Sequence, residues 1–234
     1  MKTTAAALLT RLRSVLRDSG SHRAWALAAN DGVIATAGIL EGFAGAGADD
    51  ATLVLAGMAA TVAGMFTAGG AKWAEVASER EAQLAAIDEE RAELKLQPSV
   101  ELSDLTAYYE KKGLSHALAL EVADQLMKRS PLEAQLESEH GILNVISRAD
   151  VIQASLGSAI GYALGAAVPL FVTVAVPIRL ETWLVVAAVA VSLTFISVVG
   201  ARAGHLDVAR TLRRTLVIGF VTVGISYLVG MIVF

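Results

Sequence analysis

Two pairs of carboxylates in the middle of the chain have the spacing of a shared helical face. Glu90 and Glu93 form one pair, and Glu101 and Asp104 form the other, so that within each pair the two side chains are neighbours on a helix surface. Like charges at this spacing repel unless a cation bridges them, and divalent ions such as Mn²⁺ and Fe²⁺ accept carboxylate oxygens readily. The spacing therefore predicts a divalent-metal site. The alternative is a solvated acidic helix face, which is what most charge runs mean.

A histidine further along could add a nitrogen ligand. Glu137 and His140 form one Glu-x-x-His, half of the signature with which ferritin-like bundles hold two irons. The sequence has no second copy, so ferroxidase activity has little support, and His140 is interpreted as a helix-end residue or a peripheral ligand. The chain has no cysteine, so any metal site must use oxygen and imidazole.

Motifs of other chemistries are missing from the sequence. It contains no phosphate loop, dinucleotide fingerprint, nucleophile elbow or nucleic-acid patch. We therefore expect neither an enzyme nor a nucleic-acid partner, and no permanently bound cofactor. Metal ions are expected as the substrate.

A third candidate is a carboxylate inside a long apolar stretch. Asp31 follows Asn30 and precedes Gly32, and an ionisable group within a bilayer costs ~2.5 kcal/mol or more on insertion scales. Such a residue normally faces a bundle interior or an ion path, which is the role predicted for Asp31. Glu41, on the same helix, either lines that path or reaches towards the membrane surface. Lys72 either pairs with Asp31 or extends to the surface.

The elements that must position these groups are mostly apolar. Hydrophobic residues make up 55% of the 234 residues, and the mean hydropathy is +0.57, which indicates an integral membrane protein in contact with lipid. Five stretches are long enough to cross a hydrocarbon core of ~30 Å. They are residues 24–47, 51–72, 152–176, 183–201 and 215–234. The predicted fold class is thus an all-α integral membrane protein with five transmembrane helices.

Charge is concentrated between the second and third stretches. Residues 73–150 hold 16 of the 23 carboxylates against eight Lys and Arg. Proline, glycine and serine divide this block into helices over about 73–96, 101–112, 116–128 and 131–140, with Ser115 as a helix cap. We predict three regions, namely 1–72 with a basic amphipathic segment and helices 1–2, the inserted acidic helical domain 73–150, and helices 3–5 in 151–234.

Basic residues near the span ends predict the orientation. One side of the membrane collects nearly all of them and only Arg179 lies opposite, so the N-terminus and the acidic domain are expected in the cytoplasm. The residues on the cytoplasmic side are Arg11, Arg13, Arg17, Arg23, Lys72, Arg80, Arg148, Arg202, Arg210, Arg213 and Arg214. An alanine-rich, compact chain without a transit-type N-terminus favours a bacterial inner membrane, crossed several times.

Small residues in the third stretch predict close helix packing. Gly157, Gly161 and Gly165 form a GxxxGxxxG ladder on nearly one helix face. The contact could lie within one chain or between two subunits.

The chain resembles the vacuolar iron transporter family from Arg23 onwards. The resemblance starts with Asn30-Asp31-Gly32 in the first stretch. Further matches are Val62-Ala63-Gly64, Tyr109 with Gly113-Leu114, Leu164-Gly165-Ala166 with Pro169-Leu170, Ile218-Gly219 and Tyr227-Leu228-Val229-Gly230. Their order and the five-span layout are similar to that family.

The resemblance implies a homodimer with a translocation path between the two first helices. It also implies proton-coupled export of Fe²⁺ or a similar ion from the cytoplasm, with Asp31 at the position of the pore aspartate. In the acidic domain it implies metal-binding roles for Glu90, Glu93, Glu101, Asp104 and Glu139.

The sequence departs from the family pattern along the path. Ala68 stands where the family has a pore methionine, and Lys72 stands where it has a glutamate near the membrane end. Gln135 and Leu136 replace two methionines, and Glu41 replaces an apolar residue. A lysine near the entrance repels cations unless Asp31 or Glu75 neutralises it. These differences are those of a divergent bacterial-type member.

The predicted function is export of Fe²⁺ or Mn²⁺ by proton antiport after capture by the carboxylate cluster. The alternative is a membrane-anchored metal-binding or metal-sensing protein without transport. The predicted path residues are Asp31, Glu41, Lys72 and Glu75. The predicted metal ligands are Glu90, Glu93, Glu101, Asp104, Glu139 and His140.

Overall fold

The computed structural model describes residues 19–175 and 178–233, and side chains are described outside residues 19–23 and 178–182. This part of the chain consists of eight α-helices without a strand. They are α1 (Ser19–Gly45), α2 (Asp50–Leu96), α3 (Pro98–Lys111), α4 (His116–Arg129), α5 (Pro131–His140), α6 (Arg148–Ala175), α7 (Ile178–Ala203) and α8 (Val208–Val233). The predicted basic segment before Ser19 and the side chain of Arg179 lie outside the described residues.

Four of the described helices are long and apolar enough to cross a membrane. They are α2, α6, α7 from Trp183 onwards, and α8, which confirms an all-α, multi-pass membrane protein. Helix α1 has 27 residues, but Asn30, Asp31 and Glu41 lower its hydropathy, so its crossing stays a prediction. Helix α8 begins at Val208, earlier than the apolar stretch, because Asp207 caps it by accepting a 2.7 Å hydrogen bond from the Arg210 amide.

The chain divides into two compact units. Residues 74–151 form one, the acidic unit, and the described residues outside that range form the other, the membrane unit. Helix α2 contributes residues to both units, because it runs without a break from Asp50 to Leu96. Its apolar part belongs to the membrane unit and its charged part to the acidic unit.

Glycines let the backbones of α1 and α6 touch in the membrane unit. A Cβ at Gly165 would collide with the carbonyl oxygen of Ala29, and one at Gly32 would collide with that of Tyr162. A Cβ at Gly161 would also be crowded, whereas Gly157 faces open space. Packing within the chain therefore accounts for two glycines of the predicted ladder, Gly161 and Gly165.

Local sequence signals set the helix ends in the acidic unit. Pro98 occupies the first turn of α3, where its missing N–H costs nothing, and Gly113 and Gly141 have positive φ angles just beyond the ends of α3 and α5. The last three predicted helices are confirmed within three residues at each end, and the first ends at Leu96 as predicted but is the continuation of a helix that begins at Asp50. The expected cap is wrong in detail, because Ser115 stands at the N-cap of α4 but its side chain makes no capping hydrogen bond.

Candidate metal centre and membrane carboxylate

Three carboxylates from two helices converge in the acidic unit. Glu90 and Glu93 lie on α2 and Glu101 lies in the first turn of α3, and one oxygen of each is within 4.8 Å of the others. Glu90 is 0% exposed and Glu101 is 5% exposed, while Glu93 is half-buried. The structure thus brings Glu101 of the second predicted pair together with both residues of the first pair.

The surroundings of Glu90 are unusual for a carboxylate. No donor group among the described residues hydrogen-bonds either of its oxygens, and the carboxyl group of Glu101 can bond Glu90 only when one of the two is protonated. Burying an ionised carboxylate without donors is costly. Burial is the main cause that raises the pKa of Glu90 to about 7, and the charge of Glu139, proton sharing with Glu101 and the charges of Glu101 and Glu93 raise it further. A bound cation would supply the positive charge that this position needs.

Helix α5 brings two more candidate ligands to Glu90. Ligand atoms of Glu139 and His140 lie within 4.8 Å of one another and of a Glu90 oxygen, and His140 Nε2 is 3.5 Å from Glu90 Oε2. Both residues are exposed, so an ion could reach them from solvent. Glu90 is shared by both groups, and together they offer oxygen and imidazole ligands suited to Mn²⁺ or Fe²⁺.

Asp104 is the one predicted metal ligand that lies outside both groups of the described residues. It is exposed, because packing covers the side of α3 that carries Glu101 and Leu105. Burial is the largest cause that raises the pKa of Glu101, and the charge of Asp104 contributes. Asp104 therefore acts on the cluster through its charge.

Gln135 supports the cluster from α5. In the sequence it was notable only as a departure from the family pattern. Gln135 on α5 is fully buried, and its Nε2 donates to the Glu101 side chain at 2.9 Å and to the Glu101 carbonyl oxygen at 2.7 Å. Its position one helical turn before Glu139 was the available signal, since the two share a face.

The predicted path residues have different surroundings. Asp31 is exposed on the surface of the chain. The exposed apolar side chains of Leu27, Ile39 and Phe43 lie four, eight and twelve residues from it, in one row along the helix. Glu41 is only 2% exposed, which disfavours the surface-reaching alternative. On α2, Lys72 is half-buried and Glu75 is exposed.

Fold and site together define a multi-pass helical membrane protein with a convergent carboxylate cluster. The sequence profile of the VIT family matches residues 22–231. A relative named vacuolar iron transporter, from Acanthamoeba castellanii, is 30% identical over 190 residues, which cover 81% of this chain and 68% of the relative. The chain belongs to the VIT family. It is a protein of a transporter family and not an enzyme.

Proposed function

We propose that this protein transports Fe²⁺ or Mn²⁺ out of the cytoplasm in exchange for protons. Glu90 carries the proposal, because it is a fully buried carboxylate that no donor group among the described residues hydrogen-bonds and it has Glu93, Glu101, Glu139 and His140 around it. Such an arrangement favours a divalent cation over an empty site. The metal is the cargo of this cluster, which captures it before transport.

The membrane part of the proposal rests on Asp31. A carboxylate in an exposed apolar row of a membrane helix is costly in contact with lipid, so this face of α1 needs a cover. A second copy of the chain would bring two Asp31 side chains towards each other and exclude lipid from both. We therefore propose a homodimer in which α1 is the fifth spanning helix and lines the path.

Proton exchange follows from competition at the cluster. Metal binds the ionised carboxylates, so protons and metal compete for the same oxygens. Burial and neighbouring charge raise the pKa of Glu90 to about 7, which places this competition near neutral pH. Glu41, Lys72 and Glu75 are the other residues of the proposed path.

The charges near the ends of the spans are the basis for proposing which parts of the chain face the cytoplasm. Basic residues in the described chain, such as Lys72, Arg148 and Arg202, fall at ends that the sequence assigns to one side. The acidic unit and the N-terminus are accordingly placed in the cytoplasm, and a bacterial inner membrane is the proposed location.

Transport by purified protein in liposomes tests the proposal. Vesicles with a pH gradient are given Fe²⁺ under anaerobic conditions or Mn²⁺, and the internal metal is followed with a trapped indicator dye. Gradient-dependent accumulation above protein-free vesicles is the expected result.

The second candidate is metal binding or sensing without transport. It is favoured by the location of the whole cluster in the acidic unit, together with Ala68 and Lys72 in the proposed path. Vesicles that accumulate neither ion, from protein that still binds both, would establish this function in place of transport.

A further inference from the structure

The buried side-chain amide of Gln135 hydrogen-bonds both the side chain and the backbone of Glu101. Gln135 Nε2 donates to Glu101 Oε2 at 2.9 Å and to the Glu101 carbonyl oxygen at 2.7 Å. Gln135 is 0% exposed, so water cannot replace these bonds without a rearrangement of the acidic unit. The side chain and the backbone of Glu101 are therefore fixed by a single group.

The chemistry of the partners fixes which way the amide points. Both Glu101 atoms are acceptors, so the NH₂ group must face them. On the other side, the Ser138 hydroxyl lies 3.2 Å from Gln135 Oε1 and can donate to it. With the opposite orientation, three oxygens would meet without a hydrogen between them.

The bond to Glu101 also fixes the orientation of its carboxylate. The amide takes one lone pair of Oε2, and the remaining lone pairs of the two oxygens stay available to a cation. Since Gln135 and Glu139 are one turn apart on α5, the same contact sets the distance between the ligands of α5 and the ligand of α3. Outer groups that orient ligands in this way typically change metal affinity 10- to 100-fold when removed.

We propose that Gln135 is a positioning residue of the metal cluster, holding the Glu101 carboxylate in a fixed orientation as a ligand and keeping Glu139 and His140 in reach of the same ion. The proposal rests on the proposed capture of metal by this cluster. It assigns a function to a neutral side chain that does not itself touch the ion.

Binding of Mn²⁺ to the full-length protein in detergent tests this, with free Mn²⁺ measured by its electron paramagnetic resonance signal. Gln135→Leu removes the amide at similar volume, and Gln135→Asn keeps an amide that is one methylene too short to reach Glu101. We expect both variants to bind Mn²⁺ about tenfold more weakly than the wild type. Gln125→Leu, at an exposed position of α4, is the control and should change affinity less than twofold.

A double-variant comparison separates positioning from a general effect on folding. If Gln135 acts through Glu101, Gln135→Leu should cost less than about threefold in a Glu101→Gln background, since the ligand that it orients is already lost. Wild-type affinity in Gln135→Asn would overturn the proposal, as would an undiminished tenfold loss in the double variant. If Gln135→Leu does not fold, Gln135→Asn alone and in the Glu101→Gln background decides the question. Absence of Mn²⁺ binding by the wild type would overturn the proposed capture function and this inference together, whereas binding by the wild type with unaffected variants overturns only the inference.

Discussion

The carboxylates of the two units are handled in different ways. In the acidic unit, Glu90 and Glu101 are buried within one chain and surrounded by other candidate ligands. In the membrane unit, Asp31 lies on the outer surface of the chain among exposed apolar side chains. Within one chain, the carboxylates of the acidic unit converge on each other. The exposed side of Asp31 instead has no other candidate ligand beside it among the described residues. This difference supports the proposal that one chain is enough to capture metal, whereas the proposed path through the membrane needs two.

The two units also differ in how their helices pack. In the membrane unit, glycines such as Gly32 and Gly165 allow backbone contact between helices, so the helices are held by close van der Waals fit. The acidic unit has shorter helices, and Gln135 links two of them by hydrogen bonds to Glu101. The membrane unit is thus held by apolar contact, and the acidic unit also by buried hydrogen bonds.

Loss of the central ligand should have the largest effect on capture. We expect Glu90→Gln to weaken Mn²⁺ binding about 100-fold, at the upper end of the range for groups around metal sites, because Glu90 belongs to both ligand groups. Isothermal titration calorimetry measures the affinity. Glu121→Gln, at an exposed position of α4, should stay within about twofold of the wild type. Equal affinity of the two variants would move the metal site away from Glu90.

The buried charge should make the metal-free protein less stable at neutral pH than in mild acid. The pKa of Glu90 is raised from 4.5 to about 7 by burial first and by neighbouring carboxylates, so between these values the folded state holds more protons than the unfolded state. The free energy of unfolding therefore falls as the pH rises through this window, by roughly 3 kcal/mol in all.

Thermal unfolding in detergent with a chelator, between pH 5 and pH 8, measures this trend. The Glu90→Gln variant provides the comparison, because it lacks the titrating group and should lose less stability over the same window. An identical pH profile for both proteins would show that Glu90 titrates normally. Saturating Mn²⁺ should stabilise the wild type most at the alkaline end, where the cluster is ionised.

Close packing in the membrane unit is tested by two glycines of one helix. Gly165→Ala places a methyl group against the Ala29 carbonyl oxygen and should lower the free energy of unfolding by about 1–3 kcal/mol. Gly157→Ala faces open space and should be neutral or stabilising by up to ~1 kcal/mol, because alanine favours a helix. Urea unfolding in detergent distinguishes them, and equal destabilisation would show that Gly157 also lies in a close contact, such as one between subunits.

The exposed side chain of His140 should contribute least to Mn²⁺ affinity. His140→Ala is expected to weaken Mn²⁺ binding only about threefold, or ~0.7 kcal/mol, since water can replace an exposed imidazole. Competition with a fluorescent metal indicator can measure a change in affinity of this size. His116→Ala is the matched control, because His116 pairs with Glu110 at 2.7 Å and belongs to neither ligand group. A loss above 30-fold for His140→Ala would make it a principal ligand.

Local sequence signals predicted the helices of the acidic unit well, because Pro98, Gly113 and Gly141 act on neighbouring residues only. Spacing also identified Glu90, Glu93 and Glu101 as candidates. Spacing alone could not separate Glu101 from Asp104, since which side of α3 is covered depends on packing between helices. The role of Gln135 was hidden for the same reason, as its partner is 34 residues away.

The membrane part was less predictable for physical reasons. Hydropathy identifies apolar helices, and Asn30, Asp31 and Glu41 lower the hydropathy of α1 so that it is not among the four candidate spans. An ion path, however, requires such polar groups. The sequence also could not show that Glu41 is buried and Asp31 exposed, since the two lie ten residues apart on one helix and face different neighbours.

Metal flux through the Asp31→Ala variant tests the central claim most directly. Wild type, Asp31→Ala and the exposed control Asp50→Ala are reconstituted at equal density, and Fe²⁺ and Mn²⁺ accumulation is measured under a pH gradient beside equilibrium metal binding. We predict that Asp31→Ala loses gradient-dependent flux but keeps wild-type affinity at the cluster, while Asp50→Ala keeps both. Unchanged flux in Asp31→Ala would contradict the proposed path through the membrane.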